Sequence, residues 1–445
     1  MVDRTRLSIT FGALLLGTAV LALPARAQDK TEITLARFFG ACESDYGSST
    51  DVAKARGECG VMTTLVNLFN STHKDIVVKP QIIEWGPYYQ QLTARFAARD
   101  VPTIAVMHSS QIGDFVRARV VTPIGDELRE AGIDPADFTP NARAGVTMDD
   151  KVYAMPWDTH SWLWHINVNY YKQAGLVDAG GQPVIPKSVD EMLAQAKQIQ
   201  EKTGKPYMVM ATTGSGDQAN AARGYYSWLY DQDGTIFPNG FDKAEFRSPA
   251  SVAAFGAWQR LAQAGAVTRG LDSGGALSSF LNGGGAVYVT GTWRIDDLLA
   301  GSEKPGSPLA EGYTVRVFPS LFNEQHVWTD NHSWVLPRGG SDAKTRKAAL
   351  VFLKFMWDHN FDWARGGGHL PARQSAMADY AKLPLRQYVV DIPSFGRAAP
   401  HEVRRQFGFQ TVIGDEISAM INTGKTAEQA EAGAQDRSEQ LLRGR

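Results

Sequence analysis

Cysteine is nearly missing from this sequence: Cys42 and Cys59 are the only two. So few thiols exclude a cysteine-rich metal scaffold, and an even pair closing a short loop reads most simply as a disulfide in an oxidising compartment. Two independent thiols are the alternative, and a two-cysteine metal site without nearby histidines is weaker still. A bridge would pin residues 43–58 over the first strand, worth roughly 3 kcal/mol by chain entropy.

An excess of one charge is also missing, with 45 Lys and Arg against 47 Asp and Glu. Without a basic tail or patch, no nucleic-acid partner is expected. Long apolar runs are lacking as well. After residue 23 nothing approaches the roughly 18 residues that span a bilayer. The early run 11–23 follows Arg4 and Arg6 and precedes Ala25-Arg26-Ala27, the pattern of a secretory signal peptide over residues 1–27. The mature chain, from about Gln28, is therefore expected to be soluble, exported and periplasmic. Taking away Arg4, Arg6, Arg26 and Asp3 leaves 42 basic and 46 acidic side chains, a mildly acidic surface. About 418 residues exceed one comfortable core, so two domains are expected.

Enzyme signatures are scarce. Gly214-Ser215-Gly216 lacks the spacing of a nucleophile elbow, and His401-Glu402 has no histidine four residues on. The run Gly283-Gly284-Gly285 precedes a strand and no Lys-Ser/Thr follows it, so a phosphate cradle is poorly supported. Glu84, Asp158 and Asp217 offer carboxylates for a glycosidase pair, as any chain this long does. No cofactor and no metal site are expected.

What the sequence has is aromatic residues beside hydrogen-bonding groups. Within 149–169, Trp157, Asp158, Thr159, His160, Trp162, Trp164 and His165 crowd into nine residues after Pro156. Indole faces with carboxylate, hydroxyl and imidazole suit a polyhydroxylated ligand, whereas simple alternation would make the same stretch a core strand. Earlier, strands at 31–39, 76–83 and 103–107 alternate with helical patterns at 61–69, from 89 and at 112–118. That is the βαβ rhythm of a mostly parallel sheet, whose ligands sit at strand carboxyl ends. Those ends supply Phe39, Glu84, Trp85, His108 and Ser109, then Trp157 and Asp158. The second half repeats the pattern, with Ser188 and Glu191 as a capping box, an aromatic helix around Trp228, and amphipathic helices to the end. Tryptophan recurs at strand ends as Trp85, Trp157, Trp293 and Trp328, while Trp258 reads as core.

Five motifs in order give the chain a resemblance. Asp150-Lys151-Val152-Tyr153-Ala154-Met155-Pro156 resembles a G-K-x-Y-A-x-P element, with Asp150 in place of glycine. Asn167, Tyr171 and Ala174-Gly175-Leu176 follow, with Ile166 where tyrosine is usual. Pro186-Lys187-Ser188-Val189-Asp190-Glu191, then Phe280 with Gly285-Ala286-Val287-Tyr288-Val289 and Gly291-Thr292-Trp293, then Gly368-His369-Leu370-Pro371-Ala372-Arg373 complete the set. Together they resemble the extracellular solute-binding proteins of carbohydrate ABC importers, the group containing maltose-binding protein, over essentially the whole mature chain.

The resemblance implies a two-lobed periplasmic binding fold of class α/β, each lobe a mostly parallel sheet flanked by helices, joined by several hinge crossings. Residues 28–157 with about 333–380 would form the first lobe, and 158–332 with about 381–445 the second. Crossings are expected near 156–160, 332–334 and 378–384. It also implies a sugar held between lobes that close by hinge motion, membrane permease subunits as partners, and a monomer without catalysis. Stacking candidates are Trp85, Trp157, Trp228 and Trp293; hydrogen-bonding candidates are Glu84, His108, Asp158, His160, Asn331 and Arg373. His160 falls where the maltose binder has a ligand-contacting glutamate, and Arg373 contacts ligand or buttresses its loop. The alternatives are a glycerol phosphodiester or polyamine on the same fold, and more remotely a secreted glycoside hydrolase.

Overall fold

A computed structural model describes Met1, residues 30–214 and residues 218–444. The expected signal peptide and the Ser215 and Asp217 candidates lie outside the described residues. In chain order the strands used below are β1 (Thr31–Arg37), β2 (Ile76–Ile82), β3 (Ile104–His108), β4 (Met155–Pro156), β5 (Asp158–Asn167), β6 (Met208–Val209), β7 (Val287–Gly291), β8 (Tyr313–Val317), β9 (Val327–Asp330), β10 (His332–Val335), β11 (Leu370–Pro371) and β12 (Gly396–Ala398). They form two sheets flanked by helices, a two-lobed α/β architecture. The first runs β2-β1-β3-β10-β4; the second runs β12-β9-β5-β7-β6, with β8 and β11 also paired to β5.

Strand direction shows how the lobes are joined. In the first sheet β1 pairs parallel with β2 and β3, and only β10 runs against its neighbours. In the second, β5 takes β7, β8, β9 and β11 antiparallel, while β6 and β12 run parallel to β7 and β9. Each sheet is thus parallel except for one reversed strand, and each reversed strand has just arrived from the other sheet: β4 leads through Trp157 into β5, and β9 leads through Asn331 into β10. The side chain of Asn331 stitches these crossings together, Nδ2 donating to the Asp158 carbonyl and to Thr159 Oγ1, both at 2.7 Å.

Apolar side chains gather into a core for each lobe. Ile33, Leu65, Val106, Phe352, Trp157 and Trp334 belong to the first, and Trp162, Trp164, Trp228, Trp258 and Ile413 to the second. Ala372 packs in the first core while Leu370, Met377 and Tyr380 pack with the second. Helix signals act as the side chains dictate. Ser188 Oγ accepts from Glu191 N–H at 3.1 Å, but the Glu191 carboxylate accepts from Lys187 N–H at 2.8 Å, one residue before the N-cap of the expected box. No described helix is long and apolar enough to cross a membrane.

Cys42 and Cys59 form a disulfide. Cys59 sits in the first turn of the helix Gly57–Thr72, beside Glu58. Reduction is expected to lower stability by about 3 kcal/mol, read by urea denaturation with and without a reductant. Unchanged stability would mean that the loop is held by other contacts.

His165, on β5, is buried in the second lobe. Its Nε2–H donates to the Gly291 carbonyl (3.2 Å), leaving Nδ1 to accept from the Tyr313 hydroxyl (2.8 Å). Burial holds its pKa down at about 3. Its neutral form therefore supports the fold fully above about pH 6.5, and that support is lost as pH falls towards 3. Between pH 7 and 5 the loss is about 2 kcal/mol. Denaturation of wild type and His165→Gln at both pH values should show the difference between them shifting by that amount; an unchanged difference would put His165 in contact with water.

Candidate functional site

Between the lobes lies a cavity of about 430 Å³. On the side of the first sheet Phe38, Glu58, Glu84, Trp85, His108 and, at the crossing, His332 line it; on the side of the second come His160, Asn220, Arg223, Ser273, Tyr288, Thr290, Trp293 and Arg294. Backbone geometry explains the aromatic walls. β2 ends at Ile82 and Pro87 caps the next helix, leaving Glu84 and Trp85 in the turn at a strand's carboxyl end. The Trp85 ring lies 5.0 Å from Phe38 and 4.9 Å from His108, with Phe407 at 5.6 Å.

Opposite, Trp293 sits in a tight turn following β7. Its indole folds back over Gly291, where a Cβ would come within 2.0 Å of the ring. Glycine at that position is what allows the side chain to lie against its own strand end. Trp293 is half-buried, edge-on to His160 at 5.9 Å, and the Arg223 guanidinium lies 5.0 Å from its centre and 4.8 Å from that of Trp328.

The cavity floor is a polar network where the crossing strands meet. Buried Asp158 receives four hydrogen bonds: Nδ1 of His160 (3.2 Å) and the His332 backbone N–H (3.0 Å) on Oδ1, Nδ1 of His332 (2.7 Å) and Nε1 of Trp363 (2.8 Å) on Oδ2. His108 Nδ1 is bonded to the Tyr89 hydroxyl at 2.8 Å. His369 lies beside them, with Nδ1 against Thr292 Oγ1 and Nε2 against Glu58 Oε1, each at 3.0 Å.

Charge is distributed accordingly. Burial would raise the Asp158 pKa, but the surrounding histidines His332, His369 and His160 hold it well below the ordinary carboxylate range. Burial holds His108 and His160 well below the usual imidazole value. For His369 burial acts downward too, yet Asp158 and Glu58 raise it. The network thus sets an anionic aspartate behind two imidazoles, His108 and His160, that burial keeps neutral.

Of the sequence candidates, Glu84, Trp85, His108, His160 and Trp293 meet in this cavity. The other five do not line it. Trp157 is buried in the first core between Trp334 and Trp363, because the strand alternation that points His160 into the cleft turns the preceding indole inward. Trp228 is buried in the second core against Trp258 and Phe318, its Nε1 donating to the Pro319 carbonyl at 3.0 Å. Asp158 stands behind His160 and His332, and Asn331 ties the crossing strands. Arg373 faces away, bonded to Asp137 at 3.0 Å, and so buttresses its loop. Glu58, Arg223, His332 and His369 were missed as site residues. Only the position of His332 at a lobe crossing and of His369 in the Gly368–Arg373 loop hinted at them. A larger hollow of about 810 Å³ lies on the second lobe between helices Val189–Thr203 and Pro249–Gln263, and none of its lining residues is a histidine or a tryptophan.

Two α/β lobes with crossing strands enclose an aromatic, hydrogen-bonding cleft suited to a small ligand. The chain belongs to the bacterial extracellular solute-binding protein family, whose model matches residues 49–358. It is similar to the sn-glycerol-3-phosphate-binding periplasmic protein of Pectobacterium atrosepticum, 22% identical over 87% of this chain and 89% of the relative. Among solved structures it shares its fold with the GacH receptor of Streptomyces glaucescens, studied in complex with acarbose, at a TM-score of 0.75 and 19% identity over 93% of this chain and 98% of that one. The sugar-binding protein of Xanthomonas citri matches at 0.72 and 19%, covering 93% and 97%.

Proposed function

We propose that this chain is the periplasmic receptor of an ABC importer. It captures a mono- to oligosaccharide or a related polyol glycoside between its lobes and delivers it to membrane permease subunits. It acts as a monomer and performs no catalysis; residues 1–27 are removed on export. The observation that carries this reading is the pairing of Trp85 and Trp293 on opposite walls of one cleft, with Glu84, Glu58, Asn220 and neutral His108 and His160 between them. Ring faces cover the apolar face of a pyranose, while carboxylates and amides take its hydroxyls. The family fold and the solved sugar receptors support it. The first lobe, in this reading, is residues 28–157 with about 333–380, the second 158–332 with about 381–445.

A glycerol phosphodiester or glycerol phosphate is the second reading, favoured by Arg223 and Arg294 in the cleft wall. Against it, Arg294 already pairs with Asp297 at 2.6 Å, so part of the positive charge is spoken for. A thermal-shift screen against sugars, polyols, polyamines and glycerol phosphates separates the two, since a ligand at about 100 times its Kd adds roughly 2.7 kcal/mol. Stabilisation by sugars is the expected result. A shift with phosphate esters or polyamines alone would overturn the sugar reading.

A further inference from the structure

Four of the nine histidines in the chain, His108, His160, His332 and His369, converge on the cleft floor. Three of them, with Asp158, form a tighter set: Asp158, His160, His332 and His369 are buried, and one nitrogen or oxygen of each lies within 4.8 Å of the others. Sugar capture does not require such a set. Two of its members are not in contact with the cavity, and hydroxyl recognition has no need of two imidazoles bonded to one buried carboxylate with a third beside them.

The spacing resembles a coordination shell. Zinc–nitrogen and zinc–oxygen bonds of about 2.0–2.2 Å in a tetrahedral site place neighbouring ligand atoms about 3.3 Å apart. His332 Nδ1 and His160 Nδ1 are already 2.7 and 3.2 Å from the Asp158 oxygens. His369 closes the set by turning a ring nitrogen away from Glu58 or Thr292, its present partners. The supports typical of metal ligands surround it as well. Trp363 Nε1 and the His332 backbone N–H fix the carboxylate, and Thr292 Oγ1 orients the His369 ring. Such outer partners set ligand orientation in metal sites.

Ligand chemistry selects the ion. Imidazole and carboxylate without thiolate suit Zn²⁺, Ni²⁺ or Cu²⁺, whereas Mg²⁺ and Ca²⁺ require oxygen ligands. Access is through the cleft, because His160 and His332 also line the cavity. We propose that Asp158, His160, His332 and His369 form a site for one divalent transition-metal ion of the zinc type at the cleft floor. Its ligands come from β5, β10 and the loop before β11, so the ion would tie together two crossings between the lobes. The inference goes beyond sugar capture and does not rest on it.

The test uses the mature protein stripped with a chelator and dialysed. Titration with Co²⁺, followed by visible absorption, and with Zn²⁺, followed by calorimetry, is expected to show one ion per chain. The Co²⁺ bands should have the intensity of a four-coordinate nitrogen and oxygen site. His369→Gln and His332→Ala should each weaken Zn²⁺ binding by at least about 100-fold, while His401→Ala, remote from the cluster, leaves it unchanged. Circular dichroism without metal checks that the variants fold. If they do not, the wild-type Co²⁺ spectrum decides alone. Octahedral, aqua-like Co²⁺ bands, absence of stoichiometric Zn²⁺ uptake, or equal loss in His401→Ala would overturn the site and leave the cluster as a metal-free hydrogen-bonded network.

Discussion

Replacing Trp293 by alanine is expected to raise the dissociation constant for the captured sugar by about 30- to 1000-fold while the protein stays folded. The indole is half-buried at the cleft wall, braced by His160, Arg223 and Trp162. It therefore offers a fixed face that loses little freedom when ligand arrives, the condition under which an aromatic contact is worth about 2–4 kcal/mol. Gly291→Ala should reproduce much of the loss without removing the ring, because a Cβ there would come within 2.0 Å of the indole and push it off its seat. Calorimetry of both variants against the sugar found by the thermal screen is the measurement. Unchanged affinity in Trp293→Ala would place the ligand elsewhere.

Asp158→Ala is expected to have the largest effect on stability, a loss of about 3–5 kcal/mol. Its carboxylate is buried and accepts four hydrogen bonds from His160, His332 and Trp363. Removing it leaves four buried donors without an acceptor. The measurement is urea denaturation in the presence of a chelator, so that hydrogen bonding alone is read. Asp158→Asn should fall between the two, since its amide nitrogen cannot accept from either imidazole. A loss under about 1 kcal/mol in Asp158→Ala would mean that the histidines find water instead.

Much of the site was legible in the sequence because strand ends in parallel sheets converge. Glu84, Trp85, His108 and Trp293 each follow or end an apolar strand, and all four reach the cleft. The same rule does not carry Trp157 into the cavity, nor does its place on an aromatic helix carry Trp228 there. A tryptophan at a strand end or on an aromatic helix has the same local pattern whether it faces ligand or core, and only the packing of Trp334, Trp363, Trp258 and Phe318 around them chose the interior.

By itself the sequence determined that α/β units form, since apolar period is a local property of the chain, and the resemblance carried by five ordered motifs implied their division into two lobes. It also made the Cys42–Cys59 bridge the simplest pairing, because the two thiols have no rivals. Tertiary structure alone decided that His160 and His332 share the Asp158 carboxylate with His369 close beside them. Those histidines come from strands and a loop far apart in the chain, and they meet only because β5 and β10 cross between sheets at one point. No local signal encodes that meeting: it is set by the register in which Asp330 pairs with His160 and His332 with His108.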